Sequence, residues 1–121
     1  MPWQVPRTYY DMFPADKVTL PQVLDNDLLD IPAAGQRMAK PEGDHANILK
    51  TGNWSHAVQA YLASIRFADD QVGRLIKALD KSAHAKNTII VLWGDHGWHL
   101  GEKHHWRKFS LWEEACRAPL M

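Results

Sequence analysis

The chain has 121 residues, enough for one domain or part of one, with 45% hydrophobic and 23% charged residues as in ordinary globular proteins. Its 14 basic and 14 acidic residues leave a formal net charge of zero, so it lacks the basic excess of nucleic-acid-binding domains. The single cysteine, Cys116, excludes an internal disulfide, and no apolar run reaches the roughly 18 residues of a membrane span.

Residues 1–53 are predicted to form a proline-rich irregular segment. Six of the seven prolines fall there: Pro2, Pro6, Pro14, Pro21, Pro32 and Pro41. Each removes an amide donor and biases the preceding residue away from helix, so long regular elements are not expected. A loop of this length is unusual in a compact domain, and we expect it to carry function or to pack on a larger body. His45, in its last third, is interpreted as a solvated loop histidine.

The clearest predicted element is a helix over residues 54–82. Apolar side chains recur at spacings of three and four residues from Val58 to Leu79, which is typical of one buried helix face. Asn53 or Ser55 can cap its first turn.

Residues 87–94 are predicted to form a buried strand. The run 88–93 is continuously apolar and rich in β-branched residues, which favours a central parallel strand covered on both faces. A helix followed by such a strand is half of a β-α-β unit, so the predicted fold class is α/β. The neighbouring strands are not visible in the sequence. We therefore expect an incomplete sheet, and we expect both chain ends to be cuts through a larger protein.

Asp95 and His96 follow the predicted strand directly, between Gly94 and Gly97. In α/β sheets ligands bind at the carboxyl ends of strands. A carboxylate suits Ca²⁺ or Mg²⁺, and an imidazole also suits transition metals, so the pair predicts two ligands of a metal site in the loop 95–108. Two ligands are too few to hold an ion alone. The alternative is structural, with Asp95 capping a turn and His96 hydrogen-bonded to it.

The same loop contains a cluster of basic residues. Lys108 and Arg107 can bind an anionic group. His99, His104 and His105 can donate hydrogen bonds or transfer protons. By composition alone each could equally be a solvated surface residue, and the pair of histidines at 104 and 105 could also form a small transition-metal site.

Several motifs together resemble the sulfatase family, and its iduronate-sulfatase-like members in particular, within the alkaline-phosphatase-like superfamily. They are Asn87-Thr88-Ile89-Ile90-Val91, Gly94-Asp95-His96-Gly97-Trp98, Leu100-Gly101-Glu102, Lys108 and Arg117-Ala118-Pro119-Leu120. The resemblance is strong over 54–121 and looser over 11–50. It implies that residues 1–121 are a portion of an α/β sulfatase catalytic domain.

The resemblance also implies site roles. Asp95 and His96 match ligands of a divalent metal, usually Ca²⁺ with Mg²⁺ as the other possibility, and Lys108 matches a lysine that contacts the sulfate. His99 and His104 are further catalytic candidates. The family's nucleophile is a formylglycine made from the first residue of a Cys/Ser-x-Pro-x-Arg motif. Neither that motif nor the family's first-strand aspartate pair occurs here, and Cys116, followed by Arg-Ala-Pro, is not interpreted as the nucleophile.

From the resemblance we expect the parent protein to hydrolyse sulfate esters of carbohydrates and the chain 1–121 alone to be inactive. The expected partners are a sulfated small molecule or glycan and the remainder of the same catalytic domain. No nucleic-acid partner and no membrane span are expected. A periplasmic or secreted location is expected for the parent, with any export signal upstream of Met1. Two alternatives stay open: a phosphodiesterase or phosphonate hydrolase of the same superfamily, and a non-enzymatic metal-binding module.

Overall fold

A computed structural model describes residues 3–121. Its elements in chain order are α1 (Arg7–Tyr10), α2 (Ala33–Ala39), α3 (Asp44–Thr51), α4 (Trp54–Asp80), β1 (His99–Leu100), a 3₁₀ turn (Glu102–His104), β2 (Trp106–Arg107) and α5 (Glu113–Cys116). The chain divides into two compact units. The first contains residues 3–18 and 55–90, and the second contains residues 19–54 and 91–121.

The long helix α4 dominates the first unit. The apolar periodicity predicts a helix over 54–82, and the structure has one over Trp54–Asp80. The N-terminal residues pack on it: the Tyr9 ring meets Phe67 edge-on at 5.3 Å, and the Gln59 side-chain amide donates to the Tyr10 carbonyl at 3.1 Å. No helix in residues 3–121 is both long and apolar enough to cross a membrane.

The segment 1–53 is predicted to be irregular, and its described part, residues 3–53, contains three short helices. Proline is compatible with two of them because Pro6 and Pro32 occupy the N-cap positions of α1 and α2, where no intrahelical amide is lost. The third, α3, ends at Gly52, whose left-handed backbone (φ 64°) stops the helix as C-terminal glycines commonly do.

Residues 88–93 do not form the buried parallel strand that their apolarity predicts. Ile89 is 90% exposed and Val91 is 65% exposed. Within residues 3–121, the regular pairing of this run is a single antiparallel bridge between Trp93 and Leu120. An apolar strand becomes buried only when neighbouring strands and helices cover both faces. One short antiparallel partner leaves both faces open, which explains the difference.

The β1 and β2 strands form a two-stranded antiparallel sheet, in which His99 pairs with Arg107 and Leu100 with Trp106. Trp54 supports the turn between them, since its indole N–H donates to the Leu100 carbonyl at 2.7 Å. Gly101 makes this contact possible. Its φ is +129°, and a Cβ at this position would lie 2.5 Å from the Trp54 ring.

Rings of histidine and tryptophan form the core of the second unit. His45, His99, His105 and Trp106 are all buried. The interpretation of His45 as a solvated loop residue is therefore wrong: it is 6% exposed, and the Trp106 indole N–H donates to its Nδ1 at 3.3 Å. Helix α3 turns His45 inward, and the irregular sequence around it gave no periodic signal of burial.

Candidate active site

Asp95 and His96 form a turn just after the Trp93 bridge, and their side chains converge. His96 Nε2 lies 3.6 Å from Asp95 Oδ2, which is too long for a hydrogen bond. His96 Nδ1 lies 2.7 Å from the Gly97 carbonyl oxygen. Because a carbonyl only accepts, Nδ1 carries a proton, and Nε2 is the ring nitrogen that faces Asp95.

This pair fits two positions around one divalent cation. Two oxygen or nitrogen ligands at right angles around Ca²⁺ lie roughly 3.4 Å apart, given metal–ligand distances of about 2.4 Å. The observed 3.6 Å agrees, and the Asp95 side chain is 78% exposed and therefore accessible. Across the described residues 3–121, no three His, Cys, Asp or Glu side chains cluster closely enough to hold a metal. The pair is thus a partial donor set that needs further ligands.

The turn that carries this pair is fixed by the chain around α5. The Gly97 amide donates to the Ala115 carbonyl at 2.8 Å, and the Gly94 amide donates to the Pro119 carbonyl at 3.0 Å. A Cβ on Gly97 would lie 2.0 Å from the Glu114 carbonyl oxygen, so no other residue fits there without displacing the backbone. Glycine at this position therefore permits the close approach of the turn to α5.

His99 is fully buried, and both of its ring nitrogens have partners in the chain. Nδ1 donates to the Glu102 carbonyl at 3.2 Å, which leaves Nε2 to accept from the Ser110 hydroxyl at 2.8 Å. Burial lowers the pKa of His99, and the nearby His105 lowers it further. A neutral His99 therefore ties β1 to Ser110. Its catalytic assignment stays a prediction.

Lys103 and Asp27 form an ion pair that the sequence did not reveal. Lys103 Nζ lies 2.8 Å from Asp27 Oδ1 and 2.9 Å from the Asp27 carbonyl oxygen, and the Lys103 amide donates to Asp27 Oδ2 at 3.2 Å. The side-chain hydrogen bond lowers the pKa of Asp27 and raises the pKa of Lys103. The two residues are 76 positions apart, so no local pattern could have linked them.

His104 stacks on His45. The ring centroids are 4.9 Å apart and the planes differ by 9°. His104 Nε2 donates to the Leu24 carbonyl at 2.9 Å. Burial, with a smaller contribution from the charge of His104, lowers the pKa of His45. The structure thus shows His104 holding the loop to residues 24–45, and its catalytic assignment stays a prediction.

Lys108 differs from Lys103 and Arg107, the other two cations of residues 103–108, in its lack of a carboxylate partner in residues 3–121. Lys103 is paired with Asp27, and Arg107 Nε lies 2.7 Å from Asp44 Oδ2. Lys108 has no carboxylate within 4.0 Å anywhere in residues 3–121, and its Nζ lies 5.9 Å from the Phe109 ring centroid. No hydrogen bond or ion pair in that part of the chain joins it to Asp95 or His96. Its charge is available to an anion.

The loop backbone is held in an uncommon conformation. Three non-glycine residues have left-handed φ values, 53° at Lys103, 51° at His104 and 76° at Arg107. Each is held by a residue of the proline-rich segment; the pairs are Lys103 with Asp27, His104 with Leu24, and Arg107 with Asp44. Such conformations persist where surrounding contacts enforce them, and they concentrate at functional sites.

Comparison with known proteins shows the family of this chain. The sulfatase family model matches residues 2–121. The chain belongs to the sulfatase family. It is 42% identical to a sulfatase of Formosa agariphila over 99% of the chain, 31% identical to iduronate 2-sulfatase of Homo sapiens over 100%, and 30% identical to an arylsulfatase of Clostridium perfringens over 98%. It spans 24% of the length of each of these sulfatases. The family resemblance inferred from the motifs is confirmed.

Proposed function

We propose that the protein containing this chain hydrolyses sulfate esters of carbohydrates, with residues 95–108 in its active site. The observation that carries the proposal is the unpaired charge of Lys108, in a loop whose other cations are neutralised by carboxylates. Membership of the sulfatase family supports it, as do relatives named for sulfated sugars, among them iduronate 2-sulfatase. Because the chain spans about a quarter of these relatives, the activity belongs to the whole protein.

We infer that the whole catalytic domain has the alkaline-phosphatase-like α/β fold, with residues 88–93 as a strand of its parallel sheet. Two observations support this. The apolar side chains of 88–93 are exposed, and so are apolar residues of α4, among them Leu75 at 72% and Ile65 at 51%. Large apolar side chains left exposed in this number are typical of surfaces that another part of a protein covers.

In this proposal Asp95 and His96 supply two ligands of a divalent cation, Ca²⁺ or Mg²⁺. The cation would supply Lewis-acid polarisation of the sulfate oxygens. His96 presents Nε2 because its Nδ1–H is held by the Gly97 carbonyl, a hydrogen bond that fixes both the tautomer and the ring plane. Gly97, clamped against α5, holds the turn in place.

Lys108 would donate to a sulfate oxygen and offset charge that develops there during the reaction. His99 would act as a positioning residue through Ser110, two residues beyond Lys108. The 121 residues contain no Cys/Ser-x-Pro-x-Arg motif, so a formylglycine nucleophile would come from elsewhere in the protein. We therefore expect the chain 1–121 alone to release no sulfate.

The test is a comparison of Lys108→Ala with the wild-type full-length protein on sulfate and phosphate esters. Loss of one charged donor to the transition state is expected to lower kcat by about 10²–10³-fold. Lys77→Ala, which removes an exposed lysine from α4, is the matched control and should leave kcat unchanged. A preference for phosphate esters, or an unchanged kcat in Lys108→Ala, would contradict the proposal.

A further inference from the structure

The second unit contains a cavity of about 670 Å³ whose walls do not include Asp95, His96 or Lys108. It lies between α2, the start of α3 and the end of β2. Its polar walls come from Arg37, Lys40, Asp44 and Arg107, and Phe109 adds an aromatic ring. The volume is within the range of about 300–1,000 Å³ that small-ligand sites occupy.

The cavity carries an excess of positive charge. It has three cationic side chains and one carboxylate, Asp44, which Arg107 engages through Nε at 2.7 Å. Arg37 and Lys40 have no carboxylate within 4.0 Å in residues 3–121, and both are exposed. His45, which also lines the cavity, adds little positive charge because burial lowers its pKa. Two positive charges are therefore left for a ligand.

The remaining wall is apolar and accessible. Phe109 is 72% exposed and Met38 is 36% exposed, and both line the cavity. An apolar lining with a few convergent polar groups is the usual composition of a ligand site. A sugar ring that carries an acidic group matches this wall, since its C–H face can pack on an aromatic ring while arginine and lysine pair with the acidic oxygens.

We propose that this cavity is a subsite for an acidic sugar residue of the substrate, bearing a carboxylate or a second sulfate. Arg107 and Lys108 are consecutive, so their Cα atoms lie about 3.8 Å apart, and one loop carries both the cavity wall and the proposed sulfate contact. The subsite would hold the sugar beside the one whose ester is cleaved. The claim that this sugar belongs to the substrate rests on the function proposed above. The claim that the cavity binds acidic sugars does not depend on that function.

The first experiment measures binding without catalysis. Glucuronate, glucose 6-sulfate and glucose are titrated into the full-length protein labelled at the methionine methyl groups, and the Met38 signal is followed by NMR. Both acidic sugars, or one of them, should shift this signal at concentrations where glucose does not. The one that acts at lower concentration identifies the preferred acidic group. Glucose acting as strongly as the acids would overturn the proposal.

The second experiment removes the charges. Arg37→Gln/Lys40→Gln alters only exposed side chains, and Arg74→Gln/Lys77→Gln on α4 is the control with the same charge change. The first double variant should bind the acidic sugar about tenfold more weakly or worse. It should also raise KM for a sulfated disaccharide containing a uronic acid, with kcat unchanged and with 4-nitrophenyl sulfate turnover unaffected.

The outcomes separate the two proposals. An active sulfatase in which the cavity variant behaves as wild type on every substrate refutes the subsite alone. A protein without sulfatase activity whose Met38 signal still responds to acidic sugars refutes the proposed function and leaves the subsite standing.

Discussion

The ion pair between Lys103 and Asp27 offers a quantitative test of how the active-site loop is held. We consider Asp27→Ala, Lys103→Met and the double variant. The exposed fractions of the two side chains are 25% for Lys103 and 20% for Asp27, so the pair is partly screened from water. A hydrogen bond to a charged group contributes about 1.5–3 kcal/mol, and an exposed ion pair contributes about 0–1 kcal/mol.

The contacts of Lys103 with Asp27 determine the coupling energy and the losses of stability that we expect. The cycle isolates the contact of Lys103 Nζ with Asp27 Oδ1 at 2.8 Å, for which we expect a coupling energy of about 1.5 kcal/mol. Asp27→Ala should cost more, about 2.5 kcal/mol, because it also removes the acceptor of the Lys103 amide. Arg66 and Asp70 on α4 form the matched control: this pair is 45% and 33% exposed, and its coupling should be about 0.5 kcal/mol or less.

The assay is urea unfolding of the full-length protein, followed by its tryptophan fluorescence. The pH dependence has a definite sign. Since the folded pKa of Asp27 is lowered, the coupling is present above its unfolded pKa of about 3.9 and is lost as pH falls through the folded value. Since the folded pKa of Lys103 is raised, the coupling is lost again as pH rises through that value. A coupling no larger than that of the Arg66–Asp70 control at neutral pH would refute this reasoning.

Two further predictions concern the same unit. Gly97→Ala places a Cβ 2.0 Å from the Glu114 carbonyl oxygen, so it should destabilise the protein by about 3 kcal/mol in urea unfolding and weaken binding of the divalent cation. The control is Gly73→Ala on α4, where the added Cβ meets nothing within 4 Å and the substitution should be neutral or stabilising. An equal change in stability in both variants would contradict the claim that close packing at Gly97 requires glycine. Because burial lowers the folded pKa of His45, the unfolded state binds more protons between that value and about 6.5, so stability should rise with pH across this window. His45→Gln should flatten that rise, and a slope unchanged by the substitution would exclude His45 as its source.

The parts of the site that the sequence could predict are those whose residues lie close together along the chain. Asp95 and His96 are adjacent, so the sequence alone identified them as a pair, and the structure shows them converging. The anchors of the loop lie far away in the chain. Asp27 and Asp44 appear in the sequence as ordinary loop carboxylates, and their pairing with Lys103 and Arg107 arises only when residues 19–54 fold against residues 91–121 in one unit.

The sequence by itself determined the family, through motifs around residues 94–98, and the long helix, because apolar periodicity and helical hydrogen bonds act over a few residues. Tertiary structure decided three other points. His45 is buried, since its environment comes from Trp106 and His104. Lys108 is the loop cation left without a carboxylate within residues 3–121. The apolar run 88–93 is exposed, because burial of a strand depends on the neighbours that cover it and not on its own composition.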